Sequence, residues 1–216
     1  GIGSSLLEDV CVLDSAMCWR TMTTYAASGP KDKPEKCMGH AACAVGRSMW
    51  LFGGQQGRKL LNKLYSLDLD TSTWRRYSPE SLPTPRAGLA MVAVGSTVYV
   101  FGGQGKKLHN DLWTLDTQRP AAGFKQVAER GRVPAPRRGH SLCWDGEDQL
   151  VCFGGTNATG IDAQLCVFSI SRQEWSVPTT SGPAPTPRTQ HSATMINSST
   201  MLVFGGCNAQ GHFFND

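Results

Sequence analysis

Several features are scarce in this chain of 216 residues, and each scarcity removes a class of protein. No apolar run approaches the roughly 18 residues that a membrane-spanning helix needs, and the opening residues do not read as a signal peptide. Charged residues make up 18%, too few for a disordered chain, and the 40% apolar content is too high for one. The 21 Lys and Arg barely outnumber the 17 Asp and Glu, and the resulting +4 is dispersed. A nucleic-acid binder should carry a basic stripe, and none is visible. Helical periodicity is weak throughout. There is no Cys-x-x-Cys or zinc spacing, no nucleophile elbow, no phosphate-cradling glycine loop and no acidic pair on one element. What remains predicts a soluble, β-rich module. Its expected partners include neither nucleic acid nor membrane, and no cofactor or metal is assigned to it.

What is present is repetition. Phe-Gly-Gly starts at Phe52, Phe101, Phe153 and Phe204, at intervals of 49, 52 and 51 residues. Each triplet closes a short apolar run, such as Val98-Tyr99-Val100-Phe101, and such runs read as strands buried on both faces. Other columns keep the same phase. Upstream stands His40, Leu89, His140 or His191, three of them preceded by Pro85-Arg86, Pro136-Arg137 or Pro187-Arg188. Downstream come Leu64-Tyr65-Ser66-Leu67-Asp68, Leu112-Trp113-Thr114-Leu115-Asp116 and their counterparts, then an aromatic at Trp19, Trp74, Phe124 or Trp175. Each unit therefore predicts four short strands, a to d, with small side chains on a, an apolar b, and the aromatic of d covering the seam to the next unit.

A period near fifty with Pro-Arg-x-Gly-His, Phe-Gly-Gly and Asn-Asp-Leu-Trp resembles the kelch repeat, one blade of a β-propeller. The proline-rich segments before Arg137 and Arg188 are similar to those of Rab9-effector, host-cell-factor and acyl-CoA-binding kelch proteins. Trp144-Asp145 mimics a WD signature but falls in an a–b turn beside Gly146. The fold expected is all-β: four blade equivalents of four antiparallel strands, part of a larger ring of five to seven blades. Residues 1–30 would form a c–d half, 31–80, 81–131 and 132–182 complete blades, and 183–216 an a–b half. Aligning Asp9 with Asp111 sets Gly1 opposite Gly103, which reads as a piece of a longer array. The alternative is four blades closed by pairing the first c–d half with the last a–b half.

Five of the eight cysteines replace apolar residues inside strands, where a thiol behaves as a small hydrophobe, and this favours a reducing compartment, cytoplasm or nucleus. His40, His140 and His191 fill a packing column; only His109 and His212 lie outside it, in loops. Cations gather on the b–c and d–a loops, a usual place for function on a rigid scaffold. The candidate partner-binding residues are Arg58, Lys59, Arg86, Lys106, Lys107, His109, Arg137 and Arg188. An arginine can fork two hydrogen bonds onto a carboxylate, so an acidic peptide or protein is the expected partner. Solvated lysines, and arginines acting as internal clamps, are the competing reading of the same positions. The family resemblance implies a non-catalytic interaction scaffold. Its rivals are a kelch enzyme of galactose-oxidase or mutarotase type, and the recognition subunit of a ubiquitin ligase.

Overall fold

The computed structural model describes residues 6–216; the alignment of Gly1 with Gly103 lies outside them. Strands β1 (Val10–Leu13) and β2 (Trp19–Met22) pair as the c–d half of blade 1. The short β3 (Tyr25–Ala26) then runs parallel along the outer edge of blade 2. That blade is built from β4 (Met38–Val45), β5 (Ser48–Gln56), β7 (Leu64–Asp68) and β8 (Thr73–Tyr77), with β6 (Lys59–Leu60) folded back on β5. Blade 3 comprises β9 (Ala90–Val94), β10 (Thr97–Phe101), β11 (Leu112–Asp116) and β12 (Phe124–Gln126).

β13 (Arg130–Gly131) guards the outer edge of blade 4, whose strands are β14 (Ser141–Trp144), β15 (Gln149–Phe153), β18 (Leu165–Ser169) and β19 (Glu174–Ser176). A small hairpin, β16 (Thr156–Asn157) and β17 (Gly160–Ile161), rises from its b–c loop. β20 (Ser192–Asn197) and β21 (Thr200–Phe204) form the a–b half of blade 5. Within each blade the four main strands are antiparallel neighbours, and no α-helix occurs among the described residues. β1–β2 and β20–β21 stay separate two-stranded sheets, so the two halves do not join into a shared fourth blade among the described residues.

The a strands β4, β9, β14 and β20 lie side by side. The hydrophobic core sits between blades rather than within them. One apolar cluster joins Trp50 and Phe52 of blade 2 to Met91, Val98 and Phe124 of blade 3; another joins Tyr99 and Phe101 of blade 3 to Leu150, Phe168 and Trp175 of blade 4. Phe52 and Phe101 are fully enclosed, and burying one such ring contributes about 1.5–3 kcal/mol. The strand-d aromatics close seams, but toward the preceding blade and not the next. Phe124 meets Phe52 at 5.0 Å and Trp175 meets Phe101 at 4.9 Å between ring centroids. In each case the ring of strand d reaches back to the Phe of the preceding blade's Phe-Gly-Gly.

Glycine is required where blades touch backbone to backbone. Gly139 has φ +65°, and its N–H donates to Gly88 O at 2.8 Å; Gly88 donates in turn to Gly39 O, and Gln190 to Gly139 O, each at 2.8 Å. One repeat column thus stitches four successive blades. A second stitch uses the Phe-Gly-Gly triplet. Gly103 N–H donates to Arg137 O of the next blade at 2.8 Å, and a side chain on Gly102 would place its Cβ 2.9 Å from that same carbonyl oxygen.

Candidate functional site

The arginine column is built from the d–a loop inward. Arg86 Nη1 donates to Gly102 O at 3.1 Å and to Asp111 Oδ1 at 2.6 Å, while Nη2 reaches Asp111 Oδ2 at 3.0 Å and Nε reaches Thr84 O at 3.0 Å. Arg137 repeats the pattern on Gly154 O at 2.9 Å, Asp162 and Gln164, and Arg188 does so on Gly205 O and Asp216. The three arginines are 1%, 0% and 2% exposed. Their donors are consumed inside the blade, so they are internal clamps, and their expected role as partner contacts is withdrawn. Burial works to raise the Asp111 carboxyl, but hydrogen bonds from Arg86 and Trp113 hold it below its usual range. His109 belongs to this cluster rather than to a free loop. Its Nδ1 lies 4.0 Å from Asp111, and burial, then the Arg86 charge, lowers its pKa.

In blade 2 the column changes. Cys37 takes the arginine's place, and the charges are reversed: Lys63, where blade 3 has Asp111, pairs with Glu35. The Lys63 hydrogen bond holds the Glu35 carboxyl below its usual range against the opposing effect of burial.

The histidine column does packing work. The His140 ring stands edge-on to Phe101 at 5.3 Å, and burial together with the Arg137 charge drives its pKa down to about 3. His191 faces Phe153 at 5.4 Å, its Nε2 lies 3.0 Å from Ser141 Oγ, and burial lowers it to about 4. Both rings are therefore neutral at pH 7, and Leu89 fills the same column in blade 3. Buried Cys152 is likewise pushed up to about 12, which makes it an inert thiol. All eight cysteines are free. No cluster of three or more His, Cys, Asp or Glu suited to a metal ion occurs among the described residues.

With the clamps turned inward, the exposed chemistry lies in a bowl of about 1110 Å³ where the b–c loops and the starts of the a strands converge. Its wall carries Arg58, on the β5–β6 turn, and Arg138, together with the side-chain amides of Gln55, Gln104, Gln190 and Asn208. Met38, Leu60 and Ile161 give it apolar ground, and no Asp or Glu lines it. Arg58 and Arg138 are exposed and make no ion pair among the described residues. Lys59, Lys106 and Lys107 are exposed on the same loops but outside this lining. Of the eight expected residues, the structure brings only Arg58 to the bowl. Sequence reading missed Arg138. It occupies the position after the arginine column, held elsewhere by Met38, Ala87 and Thr189, and a cation at an otherwise uncharged repeat position was the signal that marked it.

A chain of four-stranded antiparallel blades, stitched by Arg-x-Gly and Phe-Gly-Gly and ending in a loop-lined bowl, defines a kelch-type propeller domain. Comparison with known proteins agrees: the family model described as the KLHDC2/KLHL20/DRC7 Kelch-repeats domain matches residues 3–163 and 147–216, and the chain belongs to the kelch-repeat family. It is 34% identical to acyl-CoA-binding domain-containing protein 5 of Arabidopsis thaliana over 94% of this chain and 23% of that protein. Adagio protein 3 of the same plant is 34% identical over 91% of this chain and 32% of its own length. The mouse Rab9 effector protein with kelch motifs is 29% identical over 100% of this chain and 59% of its length. The chain thus spans about a quarter to a third of the first two relatives.

Proposed function

We propose that this domain is a non-catalytic protein-interaction module whose bowl accepts an acidic peptide segment. The observation that carries the reading is the bowl's composition. Two exposed guanidinium groups and four amide side chains share a wall with no carboxylate, and their surroundings leave the arginines without a charge partner among the described residues. Such a surface attracts anions and offers forked donors to a carboxylate. Several exposed lysines flank it and strengthen the long-range attraction. One relative is named as an effector of Rab9, which is in keeping with an interaction role. Eight free thiols, three of them buried, suit a reducing compartment such as cytoplasm or nucleus.

The test is calorimetric titration of Glu- and Asp-rich peptides, with Lys-rich peptides of equal length as controls. Acidic peptides bind, and replacing both Arg58 and Arg138 by Ala weakens them at least about tenfold, since a hydrogen bond to a charged group contributes roughly 1.5–3 kcal/mol. Binding weakens further as salt rises from about 0.05 to 0.5 M, because exposed charges are screened. Unchanged affinity in the folded double variant overturns the bowl assignment. A stoichiometric transition metal in the purified protein overturns the non-catalytic reading.

A further inference from the structure

Two seams made from the same repeat columns are filled differently. Between blades 2 and 3, Tyr77 of β8 stacks on Trp50 of β5 with ring centroids 5.1 Å and planes 25° apart, and its hydroxyl lies 3.1 Å from Ser66 Oγ on β7. The register pairs Trp50 with Ser66 and Tyr77 with Leu64. In blade 3 the same register pairs Tyr99 with Thr114, and Val127 N–H donates to Leu112 O. Tyr99, Thr114 and Val127 therefore hold the places of Trp50, Ser66 and Tyr77. Where blade 2 supplies a phenol, blade 3 supplies only an isopropyl group.

The consequence is a groove of about 450 Å³ between blades 3 and 4, walled by Tyr99, Thr114 and Val127 on one side and by Phe168 and Ile170 on the other. That is a volume in the range of small-ligand sites, roughly 300–1000 Å³. Phe168 is larger than its blade-3 counterpart Leu115 and narrows the groove without closing it. Thr114 Oγ1 donates to Lys125 O at 3.3 Å, which leaves the hydroxyl's lone pairs open to a donor.

We propose that this groove is a binding site for a phenolic ring, stacked on Tyr99 with its hydroxyl donating to Thr114. The Tyr77 ring in the sister seam is the molecule's own example of the ligand. The site is separate from the bowl and does not depend on the reading given to it.

The experiment uses amide and methyl NMR of the 216-residue chain with 4-methylphenol and toluene as probes. Saturable shifts at Tyr99, Thr114 and Val127 are expected, with 4-methylphenol about fivefold tighter than toluene, the worth of one net hydrogen bond. Thr114→Val removes that fivefold preference without changing toluene. Val127→Tyr supplies the missing ring from within and abolishes binding of both probes. Tyr77→Val opens the sister seam, and a second set of saturable shifts appears around Trp50. A blocked Gly-Tyr-Gly peptide separates the sources: tighter than 4-methylphenol assigns the site to a partner's tyrosine, and weaker assigns it to a free phenol. The proposal fails if no saturable shift falls in the seam. It also fails if Thr114→Val weakens both probes equally, or if Val127→Tyr binds as the parent does.

Discussion

Blades 2 and 4 come from one repeat and solve the same local problem with opposite chemistry. In blade 4 the carbonyl of Gly154 and the carboxylate of Asp162 are both satisfied by Arg137, a fully enclosed guanidinium. In blade 2 the arginine is Cys37, and the ion pair is Glu35 with Lys63, 38% and 19% exposed. What differs is desolvation. The enclosed Arg137 has exchanged water for protein acceptors, although its Asp162 partner is 26% exposed, so its loss leaves the buried Gly154 carbonyl without a donor; the half-wet pair of blade 2 falls back on water. A repeat column can therefore keep its place in the fold while changing how much stability rests on it.

The largest expected effect breaks that symmetry directly. Arg137→Ala should cost about 1–3 kcal/mol in denaturant unfolding, because the buried Gly154 O loses its donor while Asp162 keeps those of Asn157 and Gln164, whereas Lys63→Ala should cost only about 0–1 kcal/mol. Equal losses would mean that the exposed pair is worth as much as the enclosed one.

The second effect contrasts His140 with Leu89, its apolar counterpart in blade 3. His140 titrates near 3 in the folded chain and at its ordinary 6.5 when unfolded. Between those values the unfolded chain binds a proton that the folded one refuses, so stability falls as pH falls through that window. His140→Leu should remove about 1.4 kcal/mol per pH unit from that slope, read from unfolding at pH 4, 5 and 6. An unaltered slope would show that the ring does not hold its neutral form through the seam. His191, held near 4, contributes a similar slope that the variant leaves in place.

The smallest effect extends the comparison to blade 5. Gly39, Gly88 and Gly139 share φ +65°, but their counterpart Gln190 adopts φ 58° with a side chain. Gln190→Gly should raise stability by up to about 1 kcal/mol in thermal or denaturant unfolding, through relief of left-handed backbone strain. A loss would mean that the Gln190 side chain makes contacts worth more than the strain.

Much of the blade architecture was legible because it is periodic. The strands carrying Phe52, Phe101, Phe153 and Phe204 lie where the Phe-Gly-Gly spacing puts them, though β5 runs on past Gly53-Gly54 to Gln56. Trp144 ends β14, and the Asp145 carboxylate accepts the N–H groups of Glu147 and Gln149, as a hairpin turn requires. The site was less legible. Arg86, Arg137 and Arg188 recur in phase, and a recurring cation looks the same in sequence whether it points at a partner or at its own blade. The acceptors that settle its direction stand 25 to 28 residues further on, at Asp111, Asp162 and Asp216. The back-packing of Phe124 and Trp175 was hidden for a similar reason. Periodicity gives the order of the blades but not which neighbour the ring of strand d meets.

The glycine-to-glycine hydrogen bonds have a bearing on how such a chain grows. Donor and acceptor at each joint are the backbone N–H and C=O of one repeat position, whether Gly or Gln190 stands there, so the adhesive is encoded within every copy. A tandem duplication of some fifty codons would therefore bring a unit already able to bond to the units on either side. Lengthening or shortening the array asks for no compensating change elsewhere, whereas an insertion out of phase would separate each donor from its mate.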